Sequence, residues 1–318
     1  MLRGLAGPRP RRRVGPGRRS RGAPPPEGLG RSCPSERPAS EEPPPPIEER
    51  APYLARRSAH VTRLHERGPS PGNYGELERP PGVLEVTYPS GELQLKAWLA
   101  RPIGGYRLPA LVYFHGDFAF GADDFEVVRS FVSAGFVVMT PMLRGENGNP
   151  GDFELLWGEV DDARAAIEWV AQQPEVDRSR IYAFGHSIGG GVAAMLTLYP
   201  ELPLRRTGSC GGIYVPETFR RWAASEGNAD LVRFDPNDPD ETELRVLGPN
   251  VAWMVHPHVA YVGQDDPWFL DNGAGVRDRA WSLGKPFDLV MVEGDHMGSL
   301  APALAAFLQV ARNDLPKF

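Results

Sequence analysis

The chain has 318 residues, 41% hydrophobic and 24% charged, with 35 Lys or Arg against 41 Asp or Glu for a formal charge of −6. That is ordinary globular material: collagen, coiled-coil and wholly disordered readings are excluded, and no run of about 18 uncharged apolar residues offers a membrane-spanning helix. The two cysteines, Cys33 and Cys210, lie too far apart to read as a disulfide framework or a Cys-based zinc site.

The average charge hides two materials. Residues 1–50 hold 11 Arg and 6 Glu together with 12 Pro and 7 Gly, and almost no aliphatic side chain that could seed a core. Composition predicts a disordered tail there. No apolar stretch follows Arg11, Arg12 and Arg13, which argues against a secretory signal peptide, so a cytoplasmic protein is expected. An Arg-Gly-Pro tail could meet phosphate charge, yet a solvated tail is the simpler reading, and neither nucleic acid nor a membrane is expected as a partner. Residues 51–81 read as a linker with a short helix around 54–64, broken by Pro69, Pro71, Pro80 and Pro81.

From residue 82 to 318 the pattern is that of one domain. Residues 83–88 and 93–99 alternate in character on either side of Pro89-Ser90-Gly91 and predict an antiparallel hairpin. Short continuous apolar runs follow at 110–114, 136–139, 181–184, 259–262 and 289–292, as expected of strands buried on both faces of a parallel sheet. Helical spacing separates them. Val160, Ala163, Ile167, Val170 and Ala171 share one face of a helix that starts in the acidic stretch Glu159, Asp161 and Asp162 and stops near Pro174. Two more helices are expected at 189–199 and 301–311. The whole reads as α/β, a mostly parallel sheet with an antiparallel N-terminal hairpin and helices on both faces. An insertion at about 215–256, after the sixth strand, breaks the alternation. It is a lid candidate, because ligands bind at strand C-terminal ends in such sheets, or else a surface excursion.

Gly185-His186-Ser187-Ile188-Gly189 matches G-x-S-x-G, and its context adds to it. A strand precedes the pentapeptide and a small-residue helix follows, so the turn would strain Ser187 and lift its hydroxyl above the sheet. A serine hydroxyl needs a base oriented by a carboxylate. Of the seven histidines, only His296 lies in a loop after the last strand. The preceding strand ends in Tyr261-Val262-Gly263-Gln264-Asp265-Asp266-Pro267, where Asp266 is the preferred acid and Asp265 the alternative.

These features in this order resemble the α/β-hydrolase fold. The details resemble the catalytic domain of the prolyl oligopeptidase family and dienelactone-hydrolase-like esterases: Tyr113-Phe114-His115-Gly116, Leu143-Arg144-Gly145-Glu146-Asn147-Gly148, Asp177-Arg178-Ser179-Arg180-Ile181, the Ser187 elbow, Gly263 to Pro267 and Gly294-Asp295-His296. The resemblance covers about residues 83–315. It implies Ser187 as nucleophile, Asp266 as orienting acid and His296 as base. It also implies an oxyanion hole made by the Ile188 N–H and a donor from Gly116-Asp117-Phe118, with Asp117 standing where relatives carry glycine.

His115 is read as a loop brace and His186 as a loop-bonding residue. His256 and His258 lack a third metal ligand. Arg144 serves either a substrate carboxylate or an internal ion pair, and Trp157, Trp222 and Trp268 either line an acyl pocket or pack in the core. The expectation is a serine hydrolase with no cofactor and no metal, acting on a small ester or short peptide through an acyl-enzyme. The alternatives are a carboxylesterase or dienelactone-hydrolase-like enzyme on small esters and, from another class, a non-catalytic binding module of the same fold.

Overall fold

The computed structural model describes residues 51–72, 77–225 and 227–314. The tail expected to be disordered lies outside these residues. Among them the strands are β1 (Val83–Ser90), β2 (Leu93–Ala100), β3 (Leu108–Phe114), β4 (Val137–Pro141), β5 (Val176–His186), β6 (Leu204–Cys210), β7 (His258–Gly263) and β8 (Phe287–Val292). They form one sheet in the order β1-β2-β4-β3-β5-β6-β7-β8. β1 and β2 pair antiparallel, with Val83 opposite Ala100 and Ser90 opposite Leu93, and β2 runs antiparallel to β4; every other pairing is parallel.

The helices among the described residues are α1 (Tyr53–Ala59), α2 (Ala122–Glu126), α3 (Arg129–Ser133), α4 (Gly158–Val170), α5 (Ile188–Met195), α6 (Pro216–Ala223), α7 (Pro239–Glu243), α8 (Pro267–Ser282) and α9 (Leu300–Asn313). Two buried layers sandwich the sheet. The two-residue period of β2 sends Ala97 and Leu99 to one layer, with Val160, Ile167 and Val276 of α4 and α8, and Trp98 and Ala100 to the other, with Phe125, Phe131 and Phe307 of α2, α3 and α9. Each fully buried Leu, Ile, Val or Phe among them contributes on the order of 1.5–3 kcal/mol, which fixes the strand register.

The sixth strand, expected before the insertion but without bounds, stands at β6, where the polar letters Arg205, Arg206, Thr207 and Ser209 mask an element buried from Thr207 onward. Two differences from the sequence reading bear on function. Residues 51–81, expected to be a linker, are in part packed on the domain. Tyr53 of α1 is fully buried, and Arg57 donates to the Trp157 carbonyl (2.8 Å) and to Asp161 (3.0 Å). The insertion after β6 is a packed element: Phe219, Val246 and Leu247 are fully buried. Arg245, also fully buried, pairs with Glu241 and reaches Thr62 and the Leu155 carbonyl.

Candidate active site

β5 ends at His186 and α5 begins at Ile188, so the chain must reverse direction within one residue. Ser187 takes that turn at φ 52°, ψ −116°, a region costly for any side chain other than glycine. The strain is held by close packing: a Cβ on Gly189 would lie 2.2 Å from the Phe114 carbonyl oxygen, so only glycine lets α5 approach β3 this closely. The Ser187 N–H donates to the Cys210 carbonyl at 2.9 Å, tying the turn to β6.

The hydroxyl so raised meets the imidazole of His296, with Ser187 Oγ 3.0 Å from Nε2, and Asp266 Oδ2 is 2.9 Å from Nδ1 on the other side of the ring. Side chains 109 and 30 positions apart in the chain are thus joined in series. Asp266 is buried, 8% exposed, at the head of α8, where the first-turn N–H groups and the helix dipole favour a carboxylate. Asp265 is exposed. The imidazole lies against the Phe269 ring, centroids 4.5 Å apart, and over Gly211, where a Cβ would stand 2.7 Å from its Cε1. Gly211 has φ 61°, so both space and backbone require glycine there.

His186 hydrogen-bonds the His296 carbonyl through Nε2 at 3.0 Å. Burial, with His296 nearby, brings its pKa down to about 4, so it stays neutral and fixes the loop carrying His296. His115 is also buried, which works against its charge. The facing Glu146, 2.9 Å from Nε2, outweighs that and lifts the pKa to about 10. The other nitrogen, Nδ1, donates to the Gly116 carbonyl at 2.8 Å, so the charged ring pins the loop after β3.

That loop and the start of α5 face each other across the hydroxyl. Ile188 holds the first N–H of α5, among those a helix cannot pair internally. Asp117, exposed and at φ 64°, and Phe118 follow Gly116 on the opposite wall. Ser187, Ile188, Asp117, Phe118 and His296 all line one cavity of about 610 Å³. Its walls are mainly apolar, with Phe118, Val127, Trp222, Met297 and Leu300 around the hydroxyl.

The remaining residues singled out in the sequence go elsewhere. Arg144 closes an internal pair with Asp162 through two contacts, Nε at 2.9 Å and Nη2 at 2.8 Å, so it is not a substrate anchor. His256 bonds the Tyr199 carbonyl (2.9 Å), whereas His258 sits between Thr207 and Ser209, each at 2.7 Å. Trp222 lines the cavity, its ring 6.3 Å from that of Phe118; Trp157 instead packs under the guanidinium of Arg57. Sequence reasoning passed over Gly211, Phe269 and Leu77, the last of which also reaches the cavity wall. Of these only Gly211-Gly212, a doublet ending a strand, leaves a local signal.

Comparison with known proteins gives three kinds of result. Residues 36–205, just over half of the chain, match the pattern of the X-Pro dipeptidyl-peptidase (S15) family. The "Uncharacterized peptidase YtmA" of Bacillus subtilis is 32% identical over 136 residues, which cover 41% of this chain and 49% of that protein, so the chain spans about half the length of this curated relative. Among solved structures, the Pyrococcus horikoshii acylaminoacyl peptidase aligns at TM-score 0.62 and 20% identity, over 74% of this chain and 42% of its own. An esterase of Pyrobaculum calidifontis aligns at TM-score 0.58 and 18% identity, over 82% and 88%. The two solved structures share the α/β-hydrolase fold with this chain.

Proposed function

The chain belongs to the X-Pro dipeptidyl-peptidase (S15) family, and from that premise we propose that it is a serine hydrolase whose nucleophile, base and acid are Ser187, His296 and Asp266. The observation that carries the proposal is the unbroken series Ser187 Oγ to His296 to Asp266, at 3.0 and 2.9 Å, set at the foot of an apolar-walled cavity. As Ser187 Oγ attacks a carbonyl carbon, His296 Nε2 takes its proton, and Asp266 stabilises the imidazolium and fixes its tautomer. The oxygen that becomes negative is received by the Ile188 N–H and by an N–H of the Asp117-Phe118 stretch; such donors are worth roughly 3–4 kcal/mol each in the transition state. His296 then hands its proton to the leaving oxygen or nitrogen. Water, deprotonated by the same ring, attacks the acyl carbon and releases Ser187.

The cavity favours a substrate with an apolar acyl group or side chain on the side of Phe118, Trp222 and Leu300, where burial rewards apolar area, while Asp117, Asp123, Asp124 and Asn228 line it as well and can meet the polar part of that substrate. Small esters and short peptides both meet that description, and the peptidase and esterase among the comparisons support either. Asp117, exposed to water, is screened there and does not by itself favour a binding-only role. Among the described residues no helix is long and apolar enough to cross a membrane.

The test is a panel of p-nitrophenyl esters, from acetate to octanoate, beside dipeptidyl and acylaminoacyl p-nitroanilides. Release by the wild-type chain, reduced about a thousandfold or more in Ser187→Ala, is expected for at least one series. Folded wild-type protein that releases product from none of them, or release that survives Ser187→Ala, would overturn the proposal.

A further inference from the structure

The segment ahead of the sheet reaches the reaction centre. Residues 60–72 run as a strap along the insertion: the His65 N–H donates to the Arg233 carbonyl at 2.9 Å, and the Arg233 guanidinium donates back to the Gly68 and Pro69 carbonyls, both at 2.8 Å. The Phe153 N–H donates to the Gly68 carbonyl at 2.9 Å, and the Ser70 N–H donates to the Gly145 carbonyl at 3.0 Å. Held on both sides, Ser70 is 8% exposed and its hydroxyl donates to the carbonyl of Phe118. Two residues on, a Cβ at Gly72 would lie 2.8 Å from the Phe118 carbonyl carbon, so strap backbone rests directly on loop backbone.

Phe118 belongs to the stretch offered above as an oxyanion donor. Its loop is therefore clamped at two carbonyls: that of Gly116 by His115, and that of Phe118 by Ser70. The peptide between Asp117 and Phe118, which carries the Phe118 N–H, lies between those two fixed points. Asp117 holds a left-handed φ of 64° there, a conformation that an unclamped loop would tend to leave. Donor placement matters at the scale of about 0.5 Å, which a loop free at one end does not keep.

We propose that Ser70 is a positioning residue for the oxyanion loop, and that the strap, though it precedes the sheet in sequence, is part of the catalytic unit. This rests on the serine-hydrolase reading. It predicts an effect on transition-state stabilisation rather than on substrate capture, since Ser70 is not among the residues lining the cavity.

The experiment measures, on the full chain, ester hydrolysis and the rate of inactivation by a fluorophosphonate, for wild type, Ser70→Ala, Ser70→Thr and Gly72→Ala. Wild-type inactivation at Ser187 is read first, and its absence overturns the serine-hydrolase reading and this proposal with it. Given that reaction, Ser70→Ala is expected to lose about tenfold or more in kcat with KM nearly unchanged, and to slow inactivation by a similar factor. Ser70→Thr, which keeps the hydroxyl, is expected to recover most of both rates. Gly72→Ala, which crowds Phe118 without deleting a hydrogen bond, is expected to behave like Ser70→Ala and decides the matter if that variant does not fold. Rates within about twofold of wild type in a folded Ser70→Ala or Gly72→Ala, or a loss confined to KM, would overturn the positioning role while leaving the hydrolase reading intact.

Discussion

Asp265 and Asp266 are neighbours in the chain and strangers in space. Only Asp266 turns its carboxylate to His296 Nδ1, because the chain enters α8 at Pro267 and the residue before that proline is held inward at 8% exposure. Asp266→Asn, which cannot hold the same tautomer, is expected to lower kcat by about 10³ to 10⁴ with the fold kept, while Asp265→Asn leaves it unchanged; steady-state kinetics on the best ester of the panel decides. The residues of the proposed triad, Ser187, His296 and Asp266, could be picked out in the sequence because each follows a strand where the motif order asks for it. Gly211 was signalled only by the Gly211-Gly212 doublet after a strand, and Ser70 not at all. One acts by having no side chain beneath an imidazole 85 positions away, the other through a backbone carbonyl, and neither distant contact can be read from the residues nearby.

Among the elements, strands and helices with strong periodicity were readable and those with mixed letters were not. β6 spells Leu-Arg-Arg-Thr-Gly-Ser-Cys, yet its buried half supplies Ser209 and Cys210 to the interior. α8 carries Asn272, Gly273 and Gly275, which weaken a helix reading. Packing explains them: Asn272 donates to the Gly212 carbonyl at 2.8 Å and accepts from the Tyr214 N–H at 2.8 Å, and Gly273 admits Leu289. The insertion was visible as an interruption, but its attachment was not, because the groups that hold it are distant in the chain and one of them is a buried cation. Arg245 pairs with Glu241, reaches Thr62 in the strap and lies over the Phe234 ring at 3.8 Å. Removing one partner of such a pair leaves the other's charge poorly compensated, so Arg245→Ala is expected to destabilise the fold by about 3 kcal/mol or more in urea unfolding, against near-zero cost for Arg279→Ala at an exposed position.

For the molecule as a whole, two buried histidines lower stability in acid, while His115, whose burial is outweighed by Glu146 so that it is raised to about 10, and Glu159, raised to about 7 by burial, work the other way. Burial depresses His258 to about 3, and burial with the neighbouring His296 depresses His186 to about 4. As pH falls below about 6.5 the unfolded chain takes up protons at both positions that the folded chain refuses, so stability present at neutral pH is lost on acidification. Each such group contributes a slope of about 1.4 kcal/mol per pH unit. His258→Gln, which removes one of them while keeping groups able to bond Thr207 or Ser209, is expected to reduce the slope of unfolding free energy against pH by about that amount between about pH 4 and 5.5. An unchanged slope would mean that His258 titrates alike in both states. The central claim, that the Ser187 hydroxyl is activated by its contact with His296, is tested most directly by treating the native chain with a fluorophosphonate and mapping the adduct by peptide mass spectrometry. A single adduct on Ser187, formed by wild type and suppressed in His296→Ala, is predicted; a folded wild-type chain left unmodified, or modified on another residue, would contradict it.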